Sequence, residues 1–383
     1  MCDILKHTTM KTGDKTMKKI HRTLSLFTVA AMCTALLCSC GEVSDSSQTD
    51  SSSKATTTTT ADTTADTTTT GEASSTASAT SAPDSSVSDS SSAVTDDTKT
   101  NGITPAMWKV TSPEGNTMVM LGSFHALKDE CYPLPEAITN AYNNADILAV
   151  ECDITSTKED GEYMKNLMKQ MLYNDNTKLS QHISEEAYSA LQTYLGYWGM
   201  DISALEVYRP WAVSSTLDTL LIQDSGFDSE KGLDNYLLTT AHADGKEIYE
   251  VESVDFQMNL LINFSDDIYD LMFRSYEGET KESQKQALED LYTAWKSGDI
   301  ETFLEEDNEE ELAGYTEEDK KIAEDYNNQM LYDRNKNMAK AAEDLMSQGK
   351  NVFYVVGAAH YAGEGGIIDL LEKDGYTAER VQY

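Results

Sequence analysis

The 383-residue sequence predicts an α/β domain over residues 103–383, with a mostly parallel central sheet flanked by helices. Three observations carry that expectation. Short, wholly apolar runs recur at Thr117–Leu121, Ile147–Val150 and Val352–Val356. Such runs suit strands buried on both faces. Segments of helical period stand between them, as a layered α/β arrangement requires. The strand candidates also end abruptly, in Gly122 and Gly357 or in the acids Glu151 and Glu252.

Taken in chain order, Trp108-Lys109-Val110 opens a first strand, and Thr117–Leu121 a second ending at Gly122. Leu134–Ala145 reads as a helix and Ile147–Val150 as a strand ending at Glu151. Residues 159–173 form a Met/Leu-rich helix. Ser184 is placed to cap the next one, where Ala187, Leu191, Tyr194, Leu195 and Trp198 recur at helical spacing. Trp211–Leu221 and Leu233–Ala243 are helical, the latter stopped by Gly245. Glu247–Val251 is a strand ending at Glu252. Residues 254–305 are helical and acidic, and a long polar helix covers about 318–348. Val352–Val356, Ile367–Leu371 and Thr377–Val381 close the chain as strand, helix and strand.

The N-terminus reads differently. Met17-Lys18-Lys19 with Arg22 is a short basic stretch, Leu24–Leu37 is apolar, and Leu37-Cys38-Ser39-Cys40-Gly41 follows. A basic start, an apolar run too short to span a membrane and small residues around a cysteine form a processing segment. Residues 1–39 are therefore expected to be a signal peptide, with Met17 the effective start. Cys40 is the expected lipidation site. Two or more acyl chains would attach the protein stably to the extracellular face of a membrane. Residues 40–102 then form a stalk rich in Ser, Thr, Ala and Asp, with tracts such as Thr56–Thr60 and Ser90–Ser92. Such composition cannot offset its ordering entropy.

The formal charge is −37. Removing residues 1–39, which carry six Lys/Arg and two Asp/Glu, makes the remainder more acidic still. That argues against nucleic acid, which such a chain repels, and disfavours acidic partners, while cations, metals and basic peptides are not disfavoured. Of six cysteines, only Cys131 and Cys152 lie beyond Cys40. One disulfide is conceivable, but not a disulfide framework, and the absence of CxxC argues against a thiolate zinc site.

Two strands end in Gly-x-x-His, at Gly122-Ser123-Phe124-His125 and Gly357-Ala358-Ala359-His360, and two end in the carboxylates Glu151 and Glu252. In open α/β sheets ligands bind outside the carboxyl ends of the strands. Parallel neighbours would bring two imidazoles and one or two carboxylates to one edge. That donor set suits zinc, manganese, iron or cobalt, and with an open position it makes a hydrolytic metal site. The plainer reading makes each histidine a satisfied turn residue, Glu151 a cap or salt-bridged acid, and Glu252 the acid beside a helix start. His182 and His242 lie in polar helical contexts and receive no role.

Together, several segments resemble the TraB/GumN family, which includes the animal Tiki proteases. They are Leu121–His125 followed by Tyr132–Pro135; Asp146–Asp153 around Glu151; Gly232-Leu233-Asp234 through Gly245-Lys246 to Glu252; Arg334-Asn335; and Val356–His360 through Gly365 to Gly375-Tyr376. The resemblance spans about 105–383. It implies a fold like that of erythromycin-esterase and ChaN-like proteins and, for the Tiki members, metal-dependent peptide hydrolysis. His125, His360 and Glu151 fall on its motif positions, and Arg334 on its Arg-Asn helix position. The acidic stretch 265–320 matches loosely, and Tyr361 replaces a commonly aliphatic residue.

Two function classes follow. In the first, His125, His360 and Glu151 hold a divalent metal (Mn, Co or Zn), Glu151 serves as third ligand or general base, and Arg334 binds a substrate carboxylate or the developing oxyanion. Glu252 is a secondary candidate, and a peptide or small molecule is hydrolysed outside the cell. In the second, the lipoprotein captures a peptide or haem without turnover.

Overall fold

A hairpin opens the fold. In the computed structural model, which describes residues 101–158, 160–304 and 315–383, strand β1 (Met107–Thr111) pairs antiparallel with β2 (Thr117–Ser123), Met107 opposite Leu121. The link Ser112–Asn116 closes on itself, with Ser112 N–H donating to the Asn116 carbonyl at 2.8 Å. A link this short permits only a hairpin, because a parallel pairing needs a crossover of a dozen residues or more. The signal segment, Cys40 and nearly all of the stalk lie outside the described residues.

Four more strands complete the sheet: β3 (Ile147–Val150), β4 (Glu247–Glu250), β5 (Val352–Gly357) and β6 (Thr377–Arg380). Their order is β4-β3-β5-β2-β1-β6. The pairings β2·β5, β5·β3 and β3·β4 are parallel, whereas β1 is antiparallel to both β2 and β6. The sheet is thus mixed. Its parallel half is where long helical connections separate the strands. Every residue of β3 and β5 is buried, while the edge strands β4 and β6 expose charged residues such as Glu247, Glu250 and Glu379. Charged edges discourage pairing with another chain.

The helices arise where the apolar spacing places them. Helix α1 spans Glu136–Asn144, α2 Gly161–Gln170 and α3 Glu185–Gly196. Ser184 caps α3, its hydroxyl accepting from Ala187 N–H at 3.1 Å. Helix α4 (Pro210–Asp224) is buried along most of its length, and α5 (Leu233–Asp244) ends on Gly245 in the left-handed region at φ 66°. The acidic stretch after residue 254 is several helices: α6 (Val254–Asn263), α7 (Asp266–Arg274) and α8 (Lys281–Ser297). Ser253 and Thr280 cap α6 and α8 and so set those breaks. The long polar helix is interrupted as well. Helix α9 (Glu317–Asn327) passes through a π-turn at Asn328–Tyr332 into α10 (Asp333–Ser347), and α11 (Ile367–Lys373) precedes β6. No helix among the described residues is long and apolar enough to cross a membrane.

One buried carboxyl is out of place in this core. Asp218, on α4, is 4% exposed, and its Oδ2 has no hydrogen-bond partner. Burial alone pushes its carboxyl well above the ordinary 3.8. The folded state therefore holds the proton where the unfolded chain has lost it. The stability tied to this group is complete below pH 3.8 and drains away as pH rises towards the folded pKa. Replacing Asp218 with Asn is expected to raise the denaturant midpoint by a margin that grows with pH. The slope is up to about 1.4 kcal/mol per pH unit. A urea titration series from pH 4 to 8 on both proteins measures it, and a pH-independent difference would refute the assignment.

Candidate active site

The parallel half of the sheet turns sequence positions into a site. His125 follows β2, His360 follows β5, Glu151 follows β3 and Glu252 follows β4. Because β5 lies between β2 and β3, with β4 beyond, all four residues reach the same sheet edge. The Gly357 position shows how closely three of them meet. A methyl group built on it would lie 3.2 Å from Glu151 Oε1, 3.4 Å from His125 Nε2 and 3.6 Å from His360 Cδ2. The missing side chain of Gly357 thus leaves a small hollow ringed by two imidazoles and a carboxylate.

Each ring is held from behind. His125 Nδ1 faces Asp234 Oδ2 at 2.7 Å, and His360 Nδ1 faces Asn335 Oδ1 at 2.6 Å. These contacts leave both Nε2 atoms for the site, with His360 Nε2 at 3.8 Å from Glu151 Oε1. Asp234 sits in the first turn of α5, where the helix dipole favours a carboxylate. The loop before α5 is clamped onto the loop that carries His125. Leu127 and Asp228 exchange backbone hydrogen bonds, and Leu233 N–H donates to the Phe124 carbonyl at 3.0 Å. Gly232 makes that clamp possible, because any β-carbon there would overlap the His125 carbonyl. Asn335 is steadied in turn by donating to the Gly365 carbonyl at 2.9 Å.

Glu151 is 9% exposed. Its Oε1 accepts from Gly357 N–H at 2.7 Å. Its Oε2 accepts from Arg334 Nη2 at 2.6 Å and from Gln257 Nε2 at 2.9 Å. Burial favours the neutral acid, but the Arg334 charge, both histidines and the Gly357 N–H outweigh it and hold the carboxyl well below its usual range. Glu252 shares the same cation. Arg334 Nε donates to its Oε1 at 2.9 Å and Nη2 to its Oε2 at 2.8 Å, while Gln257 Nε2 donates to Oε2 at 2.6 Å. The Cys152 thiol donates to Gln257 Oε1 at 3.4 Å and so turns the amide nitrogen towards both acids.

The two histidines are driven apart in charge. Burial opposes the cation at His125, yet the charge and hydrogen bond of Asp234 prevail, and its pKa rises to about 9. Burial and the Arg334 charge act in the same direction at His360 and lower its pKa to about 3. The two rings are thus pulled in opposite directions, and a cation bound at Nε2 would have to displace the His125 proton.

Further residues of the sequence reading are placed by the fold. Arg334 lines the cavity with its guanidinium engaged by Glu151 and Glu252. It is 3% exposed, and Nε, Nη1 and Nη2 all donate to protein acceptors, the third being the Met330 carbonyl at 3.1 Å. Cys131 and Cys152 are both free thiols. Tyr361 turns away from the site. It stacks on Trp108 at 4.9 Å, and its hydroxyl donates to the Tyr354 carbonyl at 3.3 Å. His242, given no role, pairs with Asp153 at 2.7 Å. Sequence reasoning assigned no role to Asp234, Asn335 or Gln257. The first two lie inside the resemblance segments, as an acid just after a helix-starting glycine and as the neighbour of Arg334. Gln257 carries no local signal.

The hollow opens into a cavity of ≈ 110 Å³. Its polar end is His125, Glu151, Asp234, Gln257, Arg334 and His360, and its walls are apolar, from Ile154, Leu260, Leu261, Leu288, Phe303 and Met330. Convergent polar groups at one end of an apolar pocket are what a small-molecule or side-chain site needs. Among the described residues, no three His, Cys, Asp or Glu side chains already stand as a metal-binding cluster.

The chain is 26% identical to the uncharacterized protein YbaP of Escherichia coli (strain K12) over 157 residues, 41% of this chain and 56% of that protein. It is 25% identical to a metalloprotease TIKI homolog of Nematostella vectensis over 293 residues, 65% of this chain and 61% of that one. It is 22% identical to metalloprotease TIKI1 of Xenopus tropicalis over 289 residues, 63% of this chain and 55% of that one. The chain thus spans little more than half the length of the curated relatives it matches. No solved structure matches. The model of the TraB/PrgY/gumN family matches residues 106–380, nearly the whole of the described α/β unit, and the chain belongs to that family.

Proposed function

We propose that the protein is a metal-dependent hydrolase, acting on peptides, that uses the two Gly-x-x-His histidines and Glu151. The observation that carries this reading is the hollow over Gly357, where His125 Nε2 and Glu151 Oε1 flank the same point, beside the His360 ring. The donor chemistry fits a divalent ion such as Mn, Co or Zn. Two imidazoles whose Nδ1 atoms are already engaged, together with one carboxylate, form a familiar ligand set. A backing carboxylate on a ligating histidine is the usual supporting arrangement. The similarity to proteins named as metalloproteases supports the same reading. A bound ion would supply a Lewis acid and bring the pKa of its water towards about 7.

The remaining roles belong to the chain. Asp234 and Asn335 fix the two rings so that their Nε2 atoms face the hollow. Arg334, Gln257 and Gly357 N–H keep Glu151 ionised and in place; a carboxyl held so far below its usual range suits a ligand better than a general base. Arg334 is here a positioning residue, and Glu252 is its second anchor. The apolar walls select a substrate group that prefers a dry surface. Cys40 and the basic-apolar segment before it support placement of this activity at the outer face of a membrane.

The double variant His125→Ala/His360→Ala is expected to lose metal-induced thermal stabilisation and metal-dependent peptide cleavage together, while its metal-free melting curve changes little. Turnover retained in that variant would falsify the proposal.

A further inference from the structure

A second cavity, of ≈ 180 Å³, lies beyond helix α6, on residues that the proposed hydrolytic site does not use. It is built by two chain segments that cross. Leu172 and Tyr208 form an antiparallel bridge, Tyr173 N–H donates to the Val207 carbonyl at 3.1 Å, and Arg209 N–H to the Met171 carbonyl at 2.8 Å. In that register Tyr173 and Arg209 are diagonal neighbours on one face, and both line the cavity.

One side-chain polar atom of each lacks a partner. Arg209 Nε and the Tyr173 phenolic oxygen are buried without a hydrogen bond, and the guanidinium pairs with no carboxylate among the described residues. That is an unusual state for an arginine in a chain of charge −37, since buried polar groups are nearly always satisfied.

Each acid of the cavity, by contrast, already has one oxygen engaged within the chain. Asp266 Oδ2 is held by His182 Nδ1 at 2.8 Å, and Asp175 Oδ1 by the hydroxyl and N–H of Thr177 at 2.6 and 3.0 Å. His182 is fixed further by Thr177 at 2.8 Å and by stacking on Tyr173 at 4.3 Å. What Arg209 Nε and the Tyr173 hydroxyl lack is an acceptor, which neither aspartate supplies. The rest of the wall is apolar and aromatic, from Trp211, Ile262, Phe264 and Tyr269.

We propose that this cavity is a binding site for a carboxylate carried on an apolar body, such as the free C-terminus of a peptide ending in an aromatic or aliphatic residue. The planar guanidinium fork matches a carboxylate, the phenol supplies a further donor, and the aromatic wall takes the side chain. Two nearby aspartates favour a single negative charge over the double charge of a phosphate.

The site stands independently of the hydrolysis proposed above, and the test keeps the two apart. Calorimetric titration of the full chain with N-acetylphenylalanine is expected to show binding, weakened about tenfold or more when the ligand is N-acetylphenylalanine amide. Arg209→Gln should weaken the acid by a similar factor and leave the amide unchanged. Tyr173→Phe, which removes only a hydroxyl, should weaken the acid less and keeps the test open if Arg209→Gln does not fold. The His125→Ala/His360→Ala variant should bind the acid as the parent does. Equal binding of acid and amide, tighter binding of inorganic phosphate, or no binding at all would overturn the proposal.

Discussion

Replacing Arg334 with Met is expected to destabilise the domain by about 3–5 kcal/mol, the range seen when one member of a buried ion pair is removed. The reason is that one cation serves two acids. Glu151 and Glu252 both bond Arg334 Nη2, at 2.6 and 2.8 Å, and all three side chains are 11% exposed or less. Without the guanidinium, two carboxylates would share one buried corner with only the Gln257 amide between them. Arg334→Lys should recover only part of the loss, because an ammonium lacks the fork that bridges two carboxylates. Glu252→Gln, which retains Glu151 as the partner of the cation, should cost less than Arg334→Met. Urea unfolding of the three variants at pH 7 orders them, and a loss below about 1 kcal/mol for Arg334→Met would show that the triad is not a structural keystone.

The second large effect falls on the site rather than on stability. Gly357→Ala is expected to abolish metal-induced stabilisation and hydrolysis while shifting the melting temperature little. The backbone there, at φ −51° and ψ 138°, is open to any residue. The added methyl, however, would stand 3.2 Å from Glu151 Oε1 and 3.4 Å from His125 Nε2, filling the hollow where a ligand must sit. Thermal melts with and without added manganese, zinc or cobalt, beside a peptide-cleavage assay, give the readout. An alanine variant with parental metal response would place the ion elsewhere.

Much of this architecture was legible in the sequence, for identifiable physical reasons. Apolar runs such as Ile147–Val150 and Val352–Val356 can only be strands buried on both faces, and they are. Capping residues marked helix starts, as Ser184 does for α3. The direction of β1 was less legible, since strand direction depends on the length of the link and on partners far along the chain. The unbroken polar run over 318–348 hides a π-turn, because propensity carries no signal for one extra residue within a turn. At the site, the histidines and Glu151 stood out by their strand-end positions. Arg334 also stood out, but its role could not be read, because which carboxylate it meets depends on helix packing. Gln257 was invisible, as one amide in an acidic helical stretch, until folding placed it between two acids.

Strand order has a consequence for how the protein comes into being. The strand that carries His360 is synthesised after every strand it must join on the parallel side, yet it fills the place between β2 and β3. Until residues 352–357 arrive, the strands bearing His125 and Glu151 have no common neighbour, and the edges meant for β5 stay open. A chain emerging from its N-terminus therefore cannot assemble the site early. A nascent or clipped molecule lacking residues 352–357 would have no assembled site, so the site is tied to the arrival of β5.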